Sequence, residues 1–211
     1  MTFLYIDTSS SYLYTAIIKD NNTIAEIKKD YGQQLSARAL VEIANMFDTK
    51  SISPKEIDKI IVVNGPGSFT GIRIGITIAK VYAWSLNIPI TSISSLDAMA
   101  ISSDIDTYKI PILDARRGYV YAAIYDKNND IVFKPSHIKI EELYNEVIRL
   151  NETCTVITND DTEFYNLEKI KYDPDIRKIV EIKKNKASED PHQVNPIYLK
   201  QTEAEEKNND N

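Results

Sequence analysis

The chain has 211 residues, 43 % of them hydrophobic and 27 % charged, which suits a globular protein of one large domain or two lobes sharing an interface. Its formal net charge of −6 is unevenly placed: residues 1–103 carry nine Lys/Arg and nine Asp/Glu, and residues 104–211 carry sixteen and twenty-two. That balance disfavours a free-standing nucleic-acid binder, which needs clustered positive charge to displace counterions.

The densest basic cluster, Arg177, Lys178, Lys183, Lys184 and Lys186, is interspersed with acids and reads as solvated surface. Cys154 stands alone, which excludes an intramolecular disulfide framework and a Cys-rich metal site. No apolar stretch approaches the ~20 residues that cross a bilayer. The N-terminus lacks a basic, signal-like opening. A cytoplasmic address and no membrane contact are therefore expected.

In chain order, Phe3–Asp7, Tyr12–Lys19 and Thr23–Lys29 read as antiparallel strands joined by short turns. A helix is predicted from about Ser36 to Phe47, with Ala39, Leu40, Ile43 and Phe47 recurring on one face. Ser53-Pro54 with Glu56 marks a short helical turn before a strand at Lys59–Asn64. A longer helix spans about Thr70 to Leu86, stopped by Asn87 and Pro89, and Ser95 opens a short one ending before Asp104. The pattern then restarts: strands at Tyr108–Asp114, Tyr119–Asp126 and Ile131–Ile140, a helix at Glu141–Leu150, and a strand at Thr153–Thr158. The order βββαβα followed by βββαβ is a structural duplication of the actin, sugar-kinase and Hsp70 (ASKHA) type, an α/β fold of two lobes. The reading gives an N-terminal lobe at 1–103, a smaller C-terminal lobe at 104–200, and a disordered acidic tail at 201–211.

Six glycines are few, and four of them fall within Asn64-Gly-Pro-Gly-Ser-Phe-Thr-Gly-Ile-Arg-Ile-Gly75. This segment closes a strand and opens a helix, with Ser68 or Thr70 as cap. It lacks the Lys-Ser/Thr ending of a Walker loop and reads either as a strand–helix corner or as a ligand contact. Gly71, Gly75, Ala79 and Ala83 make a stripe of small residues spaced by four. Glycine inside a helix costs ~1 kcal/mol against alanine, so a surface is expected to approach closely. That surface is either the protein's own core or a partner helix, and the stripe favours the partner.

Chemistry-bearing patterns are sparse. Asp7-Thr8-Ser9-Ser10-Ser11 stands where a first phosphate loop of this fold belongs, yet has no glycine. Asp114 holds the equivalent place in the second half, followed by Arg116, Arg117 and Gly118. No glycine follows Gly118 to build an adenosine loop, so tight ATP binding and hydrolysis are not expected. His137 and His192 lie far apart, and no zinc-protease spacing exists.

Tyr5-Ile-Asp-Thr-Ser9, Gly65-Pro-Gly-Ser-Phe-Thr-Gly-Ile-Arg-Ile-Gly75, Leu113-Asp-Ala-Arg-Arg-Gly-Tyr-Val-Tyr-Ala122 and the closing Pro196-Ile-Tyr-Leu-Lys200 together resemble one family. It is the bacterial tRNA threonylcarbamoyladenosine biosynthesis protein family TsaB, also called YeaZ. The resemblance implies an ASKHA fold with degraded nucleotide loops and no metal ligands or catalytic residues. It also implies a non-catalytic role beside the catalytic paralogue TsaD and the ATPase TsaE, in modifying the adenosine next to the anticodon of tRNAs that read codons beginning with A. Contact with tRNA would be indirect, through the complex, and the chain alone would form a homodimer. The implied helix contact comprises Gly71, Arg73, Gly75, Ala79, Tyr82 and Ala83, with Leu40, Ile43 and Phe47 on the neighbouring helix. Asp7, Ser9, Asp114, Arg116 and Arg117 would line the cleft between lobes as remnants of a ligand site. No cofactor is implied, with nucleotide at a partner interface left open. One departure is Leu35, which stands before Ser36 where many members carry histidine. The competing reading is an active enzyme of the same fold, a small-molecule kinase or a glycoprotease-like hydrolase.

Overall fold

A computed structural model describes residues 1–161 and 164–200. The expected tail at 201–211 lies outside the described residues. The first half forms β1 (Thr2–Asp7), β2 (Tyr12–Lys19), β3 (Asn22–Asp30), α1 (Leu35–Lys50), β4 (Lys59–Val63), α2 (Phe69–Leu86), β5 (Ile90–Ile93) and α3 (Ser95–Ser102). The second forms β6 (Tyr108–Asp114), β7 (Tyr119–Tyr125), β8 (Ile131–Lys139), α4 (Ile140–Leu150), β9 (Cys154–Ile157), β10 (Glu168–Ile170) and α5 (Ile176–Lys183).

Each half builds a five-stranded mixed sheet. The orders are β3-β2-β1-β4-β5 and β10-β9-β6-β7-β8, which is one topology read from opposite edges. β1 pairs antiparallel with β2 and parallel with β4, and β6 repeats this with β7 and β9. This duplicated sheet is the ASKHA architecture. The second lobe keeps all five strands. Its reduction is in helices, because the link between β9 and β10 contains no described counterpart of the 18-residue α2.

Strand alternation assigns each face to a layer. Leu4, Ile6, Ile60 and Val62 point under α1 and α2, while Phe3, Tyr5, Ile61 and Val63 point toward the other lobe. Because β1 and β4 are covered on both faces, they read as unbroken apolar runs. Between the two sheets lie α3 and α5. Helix α3 packs on β6 and β7 of the second sheet, and α5 on β1 and β2 of the first. One continuous cluster therefore joins Phe3, Tyr5 and Tyr14 of the first lobe to Ala123 and Tyr125 of the second through Leu96, Met99, Ile176 and Ile179. A fully buried isoleucine there contributes about 1.5–3 kcal/mol.

The helix boundaries follow local chemistry. Ser68 caps α2 by accepting the Gly71 N–H at 3.2 Å, and Asn87 ends it in the left-handed conformation. Ser53 and Glu56 form a reciprocal capping box on the short turn at 54–56. Three elements are missing from the sequence reading: β5, β10 and α5. Strand β5 is four residues directly after Pro89, and β10 has three, two of them charged. Helix α5 was legible in Ile176, Ile179 and Val180 and in the cap Asp175, but its charges drew the reading toward a surface cluster.

The lobe assignment of residues 184–200 needs correction, because the chain returns to the first lobe after α5. The buried Lys59 ammonium donates to the Lys184 and Lys186 carbonyls just past the C-terminus of α5, at 3.2 and 2.5 Å. Glu189 accepts from the Ser92 N–H and hydroxyl, Val194 enters the core under α1 and α2, and the Ile197 N–H reaches the Asn64 carbonyl at 2.7 Å.

The shared interlobe layer makes the two lobes one cooperative unit. In urea, Trp84 fluorescence and far-UV circular dichroism are expected to report a single coincident transition. Ile179→Ala should lower stability by about 2–4 kcal/mol without splitting that transition.

Candidate functional site

The opening of α2 meets the end of β1. At Gly71 an added Cβ would collide with the Thr8 carbonyl oxygen, and at Gly75 with the Thr8 hydroxyl. Both glycines are there to let Thr8 lie directly on the helix. Thr8 in turn donates its hydroxyl to the Gly71 carbonyl at 2.7 Å, and the Ser68 N–H donates to the Ser9 carbonyl at 2.7 Å. The glycine segment forms a strand–helix corner, and the turn at Thr8–Ser9 packs directly on it.

Asp7 is buried at the base of this loop, where its Oδ1 accepts both the Ser9 N–H at 2.8 Å and the Ser9 hydroxyl at 2.7 Å. Burial raises its carboxyl above the ordinary range, and the two Ser9 bonds oppose the rise. Asp7 and Ser9 therefore do not line an open cleft. A hollow of about 440 Å³ does lie between the lobes, lined by Ser10, Ser11, Ser68, Thr70 and, from the second lobe, Arg116. Asp114 and Arg117 are exposed and are not among the residues lining it. The Asp114 carboxylate accepts the Arg116 N–H at 2.8 Å, closing a local turn. Of the five expected cleft residues, only Arg116 faces the hollow.

The helix contact also requires correction. Gly71, Gly75, Ala79 and Ala83 point inward, and Ile43 and Phe47 are buried in the same core. The close surface inferred from the small-residue stripe is thus β1 of the same chain. Tyr82 is half-buried and stacks on Phe47 at 6.0 Å, tying α2 to α1. Leu35, the departure from histidine, is buried in this core and also borders the hollow between the lobes.

What the helices offer outward is different. Phe69, Arg73, Thr77 and Val81 recur every four residues on α2, and Trp84 extends the row. Phe69 is 58 % exposed, Val81 57 % and Trp84 71 %, while Leu40 and Val41 on α1 are 53 % and 46 %. Arg73 lies in this row with its guanidinium 3.6 Å over the Phe69 ring, and its Nε donates to the Tyr198 hydroxyl at 2.9 Å. Tyr198 belongs to the closing Pro196–Lys200 segment, which therefore braces the row. Of the expected contact residues, Arg73 and Leu40 are exposed. Leu40 turns away from the buried face of Ala39, Ile43 and Phe47 with which the sequence grouped it, and Phe69, Val41, Val81 and Trp84 were missed. Their i, i+4 repeat was present but overshadowed by the small-residue stripe.

The duplicated sheets, the Thr8–Ser9 turn packed on α2 and the apolar row on α1 and α2 define a protein of the ASKHA fold class. Residues 21–164 match the family model described as TsaD, tRNA N6-adenosine threonylcarbamoyltransferase. The chain is 32 % identical to the tRNA threonylcarbamoyladenosine biosynthesis protein TsaB of Bacillus subtilis, over 98 % of this chain and 97 % of that one. It is 29 % identical to TsaB of Escherichia coli over 69 % of each. A solved Pseudomonas aeruginosa structure described as similar to peptidase YEAZ superposes with a TM-score of 0.78 at 18 % identity, covering 94 % of this chain and 99 % of that one. The chain belongs to the TsaB (YeaZ) family.

Two outcomes test the closed loop. Gly71→Ala is expected to lower the urea-unfolding stability by about 1–3 kcal/mol, since overpacking against the Thr8 carbonyl exceeds the gain in helix propensity. For Asp7, a folded-state pKa above the unfolded one means its contribution is fully present below about pH 4 and lost as pH rises through the folded value. Asp7→Asn should therefore show a smaller fall in urea midpoint between pH 4 and pH 7 than the wild type.

Proposed function

We propose that this chain works in the formation of N6-threonylcarbamoyladenosine on tRNA as a non-catalytic subunit, docking on a catalytic TsaD paralogue through the outward row of α1 and α2. Full-length similarity to Bacillus subtilis TsaB carries the reading of the process. The docking face is supported by Leu40, Val41, Phe69, Val81 and Trp84, an apolar set on two adjacent helices that a free surface rarely displays together. A tryptophan and an arginine held by aromatic rings are the residue types that anchor interfaces.

The non-catalytic role is supported by the packing of Thr8 and Ser9 against α2. Among the described residues there is also no group of three His, Cys, Asp or Glu side chains placed to hold a metal ion. In this reading the chain carries no cofactor of its own, and any nucleotide at the joint is held together with the partner. The ATPase TsaE completes the assembly, tRNA is held indirectly through the complex, and the chain alone forms a homodimer through a related surface. The work is cytoplasmic; no described helix is long and apolar enough to cross a membrane. An active kinase or hydrolase would need the loop at Thr8–Ser9 to open, and the glycine contacts oppose that.

The docking face is tested by Trp84→Asp and Val81→Asp, read by size exclusion with light scattering in the presence of the cognate TsaD. Wild type should co-elute, and each folded variant should bind at least tenfold more weakly. Unchanged co-elution by both variants would place the interface elsewhere.

A further inference from the structure

We propose that the second lobe carries its own surface for unpaired RNA, built from Tyr119, Tyr121, His137 and Lys139 with the turn at Arg116 and Arg117. The sheet register creates it. Tyr119 pairs with Lys139 and Tyr121 with His137 across β7 and β8, so all four side chains stand on one face of the sheet. Farther along β7 that same face holds Ala123 and Tyr125 in the interlobe core. Toward Tyr119 the core ends and the face opens.

There the His137 ring stacks on Tyr119 at 4.7 Å and 9°, and meets Tyr121 at 5.4 Å and 45°. The Lys139 ammonium sits 5.9 Å over the Tyr119 ring. All three rings are half-exposed, on a rigid two-strand support.

The cations beside it are the second observation. Arg116, Arg117 and Gly118 take three successive positive φ angles of 66°, 56° and 77°. Two of these are non-glycine residues in a sparsely populated region, a cost that surrounding structure must hold in place. The turn is fixed by the Asp114 carboxylate on the Arg116 N–H and by the Tyr119 N–H on the Arg116 carbonyl at 3.1 Å. Both arginines are exposed, and neither they nor Lys139 form an ion pair among the described residues. By contrast Lys178, Lys184 and Lys186 of the basic cluster each have an acidic partner. The nearby acids Asp114 and Asp160 accept backbone N–H groups at 2.8 and 2.7 Å, and neither they nor Glu141 and Glu142 at the start of α4 form an ion pair with the two arginines.

Stacked rings bordered by cations that form no ion pair among the described residues match a base with its flanking phosphates, the chemistry by which single strands are held. Duplex RNA presents no free base face to such a platform. Arg116 extends the positive edge into the hydroxyl-lined hollow between the lobes, where Ser10, Ser68 and Thr70 can donate to a phosphate. Choosing RNA as the polymer rests on the role in tRNA modification proposed above. The stacking and the local cations belong to the second lobe, although residues 104–211 carry sixteen Lys/Arg against twenty-two Asp/Glu, and tRNA contact would then be partly direct.

The test is fluorescence anisotropy of a labelled ten-nucleotide single-stranded RNA titrated with the full chain from 50 to 200 mM KCl. A hairpin stem and polyglutamate serve as competitors. The expected result is salt-dependent binding, at least fivefold tighter to the single strand than to the stem. His137→Ala should weaken it roughly tenfold, within the range for losing one base–aromatic stack, and His137→Phe should restore it. The double change Arg116→Gln with Arg117→Gln should reduce the log–log salt slope by about 1.4. The proposal is overturned by no binding at 50 mM KCl, by equal binding of stem and strand, by equal displacement with polyglutamate, or by a folded His137→Ala that binds as wild type. No partner protein is present, so a failure of the α1/α2 docking face leaves this reading unaffected.

Discussion

Much of this structure depends on the seating of Thr8 against the first turns of α2. A carbonyl and a hydroxyl occupy the space that side chains at positions 71 and 75 would fill. The hydroxyl bond to the Gly71 carbonyl then locks the loop to the helix. This contact fixes α2 against the end of β1 and leaves its outer row toward solvent. The loop is a structural joint, and Asp7, buried beneath it, accepts the Ser9 N–H and hydroxyl.

Closing the loop separates the two sides of α2 into distinct tasks. The inner side contributes Gly71, Gly75, Ala79 and Ala83 to packing at short range. The outer side carries Phe69, Arg73, Val81 and Trp84, braced by Tyr198 from the returning C-terminal segment. That return explains why the Pro196–Lys200 segment forms a unit with the glycine-rich corner so distant in sequence: the Ile197 N–H bonds the Asn64 carbonyl directly before the corner begins. A rigid, braced row is well suited to docking, because little side-chain freedom remains to be lost on association.

Most of the architecture was legible in sequence because strands β1, β2, β4, β6 and β7 are strongly apolar and their turns are short. The duplication followed from the order of elements alone. Elements of three or four residues, β5 and β10, were not legible, since periodicity needs more positions than they possess. The site was only half legible. Helical spacing showed correctly that Gly71 and Gly75 admit a close neighbour, but spacing cannot say whether that neighbour is internal, and it proved to be Thr8. Nor can composition separate cations with an acidic partner, such as Lys178, Lys184 and Lys186, from cations without one, as Arg116 and Arg117 are among the described residues. The Tyr119–His137–Tyr121 ladder depends on cross-strand register, which no local pattern fixed.

Hydrogen–deuterium exchange of this chain, with and without the cognate TsaD, tests the central claim most directly, because it reads both sides of α2 in one experiment. The account expects added protection in peptides covering 35–50 and 69–86 on complex formation. It also expects peptides covering 5–10 to be slow to exchange already in the free chain and unchanged by Mg-ATP. Protection confined to other regions, or a segment at 5–10 that exchanges fast and slows with Mg-ATP, would contradict it.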